Sequence, residues 1–107
     1  MNDSSAALPP ADAPLPELLH SRGRLLILCQ LSRSGALPFT ELRALLGMTD
    51  GTLSVHLARL EEGGVVALEK GFVGKRPRTV VRLTGDGARR FDAYVQDLRR
   101  LVPGLAD

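Results

Sequence analysis

The sequence predicts a mostly α-helical α+β domain: three helices, a two-stranded basic hairpin and a further C-terminal helix. Three observations lead to this fold class. Residues 40–60, TELRALLGMTDGTLSVHLARL, have the apolar spacing of two short helices joined by a tight turn. Residues 65–83 contain two runs rich in β-branched side chains on either side of a glycine-containing turn. In residues 84–102, apolar side chains recur at alternating intervals of three and four, as on one side of a helix.

Composition limits the size and chemistry of this domain. The chain has 107 residues, of which 44% are hydrophobic but only 4% aromatic, so the core must consist mainly of leucine, valine and alanine. So small a core gains stability from a partner chain. The single cysteine, Cys29, excludes intrachain disulfides and cysteine-based zinc motifs; it is either a redox-sensing thiol or a packing residue.

Several other classes of protein do not fit the sequence. His20 and His56 lie far apart, without carboxylates or thiols at ligand spacing, so we expect no metal site and no cofactor. The sequence contains no nucleophile elbow, phosphate-cradling glycine loop or paired-carboxylate signature, so we do not expect an enzyme. The absence of a signal-peptide pattern and of a membrane-spanning apolar run predicts a cytoplasmic protein.

Positive charge is concentrated in one part of the chain. The formal net charge is only +2, and the pI is about 9.2. Residues 70–90 nevertheless contain Asp86 as their only acid, whereas residues 1–21 contain no lysine or arginine. The basic residues in this span are Lys70, Lys75, Arg76, Arg78, Arg82, Arg89 and Arg90. Such a patch in a nearly neutral protein predicts contact with a polyanion.

The N-terminal part divides into an arm and a helix. Residues 1–16 are rich in proline, which disfavours a helix, and we expect a flexible arm there. The first helix is predicted to begin at Pro16 or Glu17 and end at Leu31 or Ser32. Its apolar side chains imply two buried faces, one of them for a second chain. Gly23, within this helix, suggests that another helix approaches closely. Residues 17–83 are then the predicted folded domain, followed by a helix and tail at 84–107.

Residues 40–60 form a predicted helix–turn–helix. The first helix, residues 40–46, has Thr40 as its predicted N-cap, and the turn is at residues 47–48. The second helix begins near Thr49 or Asp50, and its leucines at 53, 57 and 60 form a core stripe. The other face is short, polar and basic, which is the layout of a DNA-reading helix. The residues predicted to contact DNA there are Thr49, Asp50, Thr52, Ser54, Val55, His56 and Arg59.

The hairpin and the last helix supply two further predicted contacts. The strands are predicted at residues 65–72 and 79–83, with Lys75, Arg76 and Arg78 in the turn, where they can reach phosphates or a narrow minor groove. Thr84 is predicted to cap the last helix. This helix is predicted to dimerise the protein; the alternative is that it folds back onto its own core. Its seam and flanking side chains are Ala88, Phe91, Tyr94, Val95, Leu98, Leu101 and Val102.

Four segments together resemble a known family. They are FTELRALLG (39–47), MTDGTLSVHLARLEEGGVV (48–66), FVGKRPRT (72–79) and VRLTGDG (81–87). This order resembles the winged helix–turn–helix of bacterial and archaeal transcriptional regulators, in particular small MarR- and ArsR-type proteins, over residues 16–101. The resemblance implies that the protein binds double-stranded DNA. The chain departs from these groups because it lacks both the extra helices of a MarR-type effector pocket and the thiol clusters of metal sensors, so no effector is indicated.

The combined expectation is a homodimeric repressor that binds an inverted repeat. The recognition helix would enter the major groove, and the hairpin would contact the backbone or the minor groove. Three alternatives stay open at this point. One is a winged-helix module whose basic hairpin binds an acidic protein, and another is an architectural protein that binds DNA without sequence preference. The third is a regulator that responds to a small-molecule effector in a pocket between the first and last helices, although no polar cluster in the sequence indicates a ligand.

Overall fold

A computed structural model describes residues 18–105, so the predicted arm at residues 1–16 lies outside the described part. The described residues form four helices and three strands, confirming a mostly helical α+β fold. They are α1 (Arg22–Ser34), β1 (Leu37–Pro38), α2 (Phe39–Leu46), α3 (Asp50–Glu62), β2 (Val66–Val73), β3 (Arg76–Leu83) and α4 (Gly85–Leu101). The strands form an antiparallel sheet in the order β1-β3-β2. Within residues 18–105, no helix is long and apolar enough to cross a membrane.

Helix α1 begins later than the sequence predicts. The Ser21 hydroxyl accepts a hydrogen bond from the Arg24 backbone N–H at 3.5 Å and caps the helix. The preceding residues turn instead, because Leu19 is fully buried and the Leu18 carbonyl accepts a hydrogen bond from the Arg24 side chain. The predicted start at residue 16 or 17 is therefore wrong. The helix ends at Gly35, whose φ of 74° favours glycine.

The helix–turn–helix is present, with one shifted boundary. Helix α2 begins at Phe39 directly after Pro38, which pairs with β3, so the predicted N-cap Thr40 lies inside the helix instead. The strand pairing of residues 37–38 fixes where α2 can begin. Gly47 adopts a left-handed conformation and ends α2. Thr49 then caps α3 as predicted, accepting a hydrogen bond from the Thr52 N–H.

A single core lies between the helices and the sheet. It includes the predicted stripe of α3, since Leu53, Leu57 and Leu60 are at most 1% exposed. Burying each such leucine contributes roughly 1.5–3 kcal/mol. The buried hydrophobic residues are Leu19, Ile27, Leu28, Leu31, Leu37, Leu42, Leu53, Leu57, Leu60, Val65, Val66, Val81 and Tyr94.

The hairpin is longer and tighter than predicted. Strands β2 and β3 pair continuously from Val66–Leu83 to Val73–Arg76, leaving only two residues in the turn. Gly74 occupies the first turn position with a φ of 63°. Strand β3 therefore begins at Arg76 rather than Thr79, because cross-strand pairing extends to the turn despite the charged sequence. Residues 69–78 are all exposed and project beyond the core.

The start of α4 is bound to the turn between α3 and β2. The Thr84 hydroxyl accepts from the Gly87 N–H at 2.8 Å, confirming the predicted cap, and donates to the Gly64 carbonyl at 2.6 Å. A Cβ at Gly87 would lie 2.0 Å from the Val65 carbonyl oxygen. Only glycine therefore allows α4 to begin this close to the chain at Val65.

The apolar side chains of α4 do not all point the same way. Tyr94 is 5% exposed and belongs to the core of its own chain, with Phe91 and Leu98 packed against that core. The Tyr94 hydroxyl lies 2.5 Å from His20 Nδ1, and burial raises the tyrosine pKa, which keeps the hydroxyl protonated. The expectation that this whole set faces a second chain thus does not hold for Tyr94. Val95 and Leu101 are half-buried, and Ala88 and Val102 are exposed.

Candidate nucleic-acid interface

The outer face of α3 is held towards solvent by the leucines on its inner face. Ser54, Val55 and Arg59 are exposed on this outer face, with Val55 at 58%. The helix carries three acidic side chains and one arginine, so its formal charge is −2. Such a helix offers side chains for reading base edges, but it gains little from general attraction to phosphates.

The first turn of α3 is occupied by contacts within the protein. The Thr49 hydroxyl accepts from the Thr52 N–H at 3.1 Å and lies 3.0 Å from the Thr52 hydroxyl. The Asp50 carboxylate accepts from the Arg43 guanidinium of α2 at 2.9 Å. An aspartate at this point would repel a phosphate, and Arg43 offsets that charge. Sequence reasoning missed Arg43, although a basic residue seven positions before Asp50 was a visible signal.

His56 has a different environment from the other predicted reading residues. It is half-buried against α1: a Cβ at Gly23 would lie 2.4 Å from its Nε2 atom. Its Nδ1 atom is buried and has no hydrogen-bond partner among the described residues. Burial lowers the His56 pKa, and the charges of Arg24 and Arg59 lower it further. His56 therefore packs between α3 and α1. The close approach of another helix that was expected at Gly23 is present.

The hairpin carries the opposite charge to α3. Lys75, Arg76 and Arg78 are exposed around its tip, as predicted from the sequence. Residues 66–83 contain five basic side chains and one acid, a formal charge of +4. That acid, Glu69, accepts from Arg82 Nε at 2.9 Å, so the lysines and arginines near the tip lie away from acidic groups of the hairpin. The tip can therefore bind a polyanion such as the DNA backbone.

Cys29 and His20, the remaining candidate residues, do not lie in a cluster of described residues that could bind a metal ion. Cys29 is exposed on α1 rather than packed in the core. His20 interacts with Tyr94 and is not part of a metal-ligand cluster. Across residues 18–105, no group of three histidine, cysteine or carboxylate side chains is close enough to hold a metal ion.

A comparison with family models connects this arrangement with a known domain. Residues 24–102 match the model of the winged helix DNA-binding domain. The matched span begins in α1 and ends just after α4, so it includes both α3 and the hairpin.

Individual proteins show the same similarity. The chain is 32% identical to MJ0432, an uncharacterized protein of Methanocaldococcus jannaschii, over 83% of this chain and 97% of the relative. A transcriptional regulator homologue from Pyrococcus horikoshii OT3 superposes with a TM-score of 0.77 at 31% identity, over 85% of this chain and 90% of the other.

More distant structures agree on the fold. AbfR of Staphylococcus epidermidis, in a structure bound to DNA, has a TM-score of 0.71 at 22% identity, with 84% of this chain and 68% of AbfR covered. Regulators of the MarR and ArsR families are also among the structural neighbours. At these identities the likeness concerns the fold alone.

Proposed function

We propose, on the premise that the chain belongs to the family of winged helix DNA-binding domains, that it is a homodimeric repressor that reads an inverted repeat. In each subunit, α3 would lie in the major groove and the hairpin, the wing of this fold, beside it. Arg59 would contact a guanine edge or a phosphate, and Val55 a thymine methyl group. Lys75, Arg76 and Arg78 would contact phosphates. Occlusion of a promoter is the mode of repression proposed.

The observation that carries this proposal is the division of charge between α3 and the wing. With a formal charge of −2, α3 gains no general attraction to the backbone, so a contribution of this helix to DNA binding must come from individual side-chain contacts. The +4 of the wing suits phosphate contact. The same observation favours a second candidate, an architectural protein held on DNA by the wing alone. The two candidates differ in whether the sequence at the α3 contacts affects binding.

The DNA experiment uses fluorescence anisotropy with the full chain. The probes are a duplex from the upstream region of the protein's own gene and a scrambled duplex, at several salt concentrations. A specific regulator of that gene should prefer the native duplex by about a thousandfold or more. Where the two bind equally, selection from a random duplex pool separates the candidates. An enriched inverted repeat, with half-sites about 10 base pairs apart, supports a regulator of other genes, and no enrichment supports the architectural protein. No binding at low salt contradicts both.

The dimer proposal rests on apolar side chains that the single chain leaves exposed. Leu26, at 37% exposure, and Cys29 lie on α1, beside a surface depression of about 290 Å³. Val102 and Leu105 lie at the end of α4, each about half exposed. His20 lines the depression and also contacts Tyr94, which places the depression beside α4. A second copy covering α1 and α4 would remove these apolar side chains from water.

Two exposed positions provide the test of dimerisation. Leu26→Glu and Val102→Glu should each convert a dimer into monomers, measured by size-exclusion chromatography with light scattering. Phe91 and Leu98 are less suitable, because they pack against the core of their own chain. Leu45→Glu on α2, where Leu45 is 55% exposed, is the matched control and should stay dimeric. A wild-type monomer at micromolar concentration would contradict the proposal.

A further inference from the structure

The wing has two faces of different chemistry. Successive residues of a strand point to opposite faces, and directly paired residues share a face. The face that begins at the core with Val66 and Leu68 ends at the tip with Phe72, which pairs with Pro77. The opposite face ends at the tip with Val73 paired to Arg76. The tip thus carries an apolar pair on one face and a cation on the other.

Phe72 is unusually exposed for its size. Its side chain is 72% accessible, more than that of any other large hydrophobic residue among those described. Two residues away on the same strand face is Lys70, so the exposed ring extends beyond the apolar core rather than continuing it. Phe72 contributes little to the stability of the isolated chain, and with its exposed neighbour Pro77 it forms an apolar pair that is available for binding.

We propose that Phe72 and Pro77 form an apolar wedge that packs on the deoxyribose walls of the DNA minor groove, between the phosphates contacted by the wing cations. The proposal rests on the proposed DNA-binding function and adds an uncharged contact to it. Proteins that bind the minor groove frequently combine cationic side chains with apolar wedges, among which phenylalanine and proline occur.

The positive charge near the wedge indicates that its binding partner is DNA. Lys70 lies on the same face as the apolar pair, Lys75 lies in the turn, and Arg76 and Arg78 lie on the opposite face of the tip. The one acid of the hairpin, Glu69, is already paired with Arg82. An ordinary apolar protein surface would leave these four cations without counter-charges in the interface. The minor groove instead offers apolar sugar walls flanked on both sides by phosphates, which matches a tip with an apolar pair on one face and cations in the turn and on the opposite face.

The first test compares two serine variants of the full chain by anisotropy across a salt series. Phe72→Ser should weaken DNA binding by about tenfold, as expected for a lost apolar contact of this size. The slope of affinity against salt should stay unchanged, because an apolar contact releases no counterions. Phe72→Leu keeps an apolar wedge and should stay within about threefold of wild type. Val73→Ser, on the opposite face, is the matched control and should bind as wild type does.

The second test uses the absence of tryptophan from the chain. Phe72→Trp places a single fluorophore at the wedge, and DNA should shield it strongly from acrylamide quenching. Val73→Trp should be shielded much less. Both positions are exposed, so all variants should keep the wild-type melting temperature within a few degrees.

The outcomes separate this inference from the proposed function. A wild-type protein that does not bind DNA overturns both. A wild-type protein that binds DNA while Phe72→Ser binds equally well overturns only the wedge. Loss of affinity with a flattened salt slope also overturns the wedge, because Phe72 would then act by positioning the cations.

Discussion

Helix α3 and the wing differ in both charge and support. Helix α3 has a formal charge of −2, is fixed by three buried leucines and has His56 wedged against α1. The wing has a formal charge of +4, and its residues 69–78 are all exposed. A helix held firmly by its core presents its outer side chains in fixed positions for contacts with base edges, whereas an exposed cationic hairpin is suited to binding the backbone of any duplex. The contrast suggests that sequence preference and affinity reside in different elements.

The largest expected effect comes from removing the wing cations. Replacing Lys75, Arg76 and Arg78 together by alanine should, for each subunit that contacts DNA, lower affinity roughly 500-fold at 0.1 M salt and reduce the salt slope by about 2.7, since each lost phosphate contact contributes about 0.9. For the proposed dimer the slope should therefore fall by about 5.4. The loss should be equal for specific and scrambled DNA. Anisotropy titrations across a salt series measure both quantities.

A charge-matched control accompanies this variant. Replacing Arg33, Arg89 and Arg99 by alanine removes the same charge from exposed positions on α1 and α4. We expect an effect of less than about fivefold, because these side chains lie outside the proposed interface. Equal losses in the two triple variants would contradict the assignment of affinity to the wing.

The next effect concerns the reading face of α3. Arg59→Ala should cost about 1–3 kcal/mol at a single position of the binding site, because a contact with a guanine edge is lost. Competition with single-base variants of the selected duplex measures the position and size of this loss. Arg89→Ala on α4 is the control. A loss spread evenly over all sequences would place Arg59 on the backbone and leave Ser54 and Val55 as the readers.

A smaller effect, on the free energy of unfolding, tests the packing of α3 against α1. Gly23→Ala gains helix propensity but brings a Cβ into the His56 ring, and we expect a net loss of about 1–2 kcal/mol in the free energy of unfolding. Gly51→Ala, with nothing within 4 Å of its Cβ, should instead stabilise the protein by about 0.5–1 kcal/mol. Urea denaturation gives both values. If His56→Ala does not restore the stability that Gly23→Ala removes, the contact between residue 23 and the His56 ring is not the cause of the loss.

The smallest effect is a pH dependence of stability. Burial, followed by the charges of Arg24 and Arg59, lowers the His56 pKa in the folded protein. The unfolded chain then binds the proton more readily, so the contribution to stability is complete above about pH 6.5 and is lost as the pH falls towards the folded-state pKa. The melting temperature should fall between pH 7.5 and 5.5, and less so in His56→Gln. An equal fall in both proteins would show that other groups cause it.

Periodic patterns in the sequence were sufficient to predict much of the fold. The leucine stripe of α3 predicts its buried face, and Thr49 and Thr84 predict the caps of α3 and α4, because side-chain capping is a local interaction. The wing cations could likewise be identified from composition and their place between two strands. These features depend on residues close together in the chain, which is why the sequence alone is informative about them.

Features that depend on distant residues could not be predicted in this way. The seam of α4 indicates an apolar surface, but not that Tyr94 turns into its own core and contacts His20. The spacing of His56 places it beside the reading residues, whereas its actual environment depends on α1 and Gly23. Strand β3 begins at Arg76 because of pairing with Val73, which outweighs the low strand propensity of its charged residues.

In the proposed division of roles, α3 provides the preference for a particular DNA sequence and the wing provides most of the affinity for DNA. The most direct test is the ratio of affinities for the selected and scrambled duplexes in the Lys75, Arg76 and Arg78 alanine variant, measured by anisotropy at low salt. We expect both affinities to fall by similar factors and the ratio to stay within about threefold of the wild-type value. A ratio that collapses towards one would show that the wing itself reads the sequence, and it would contradict the division of roles.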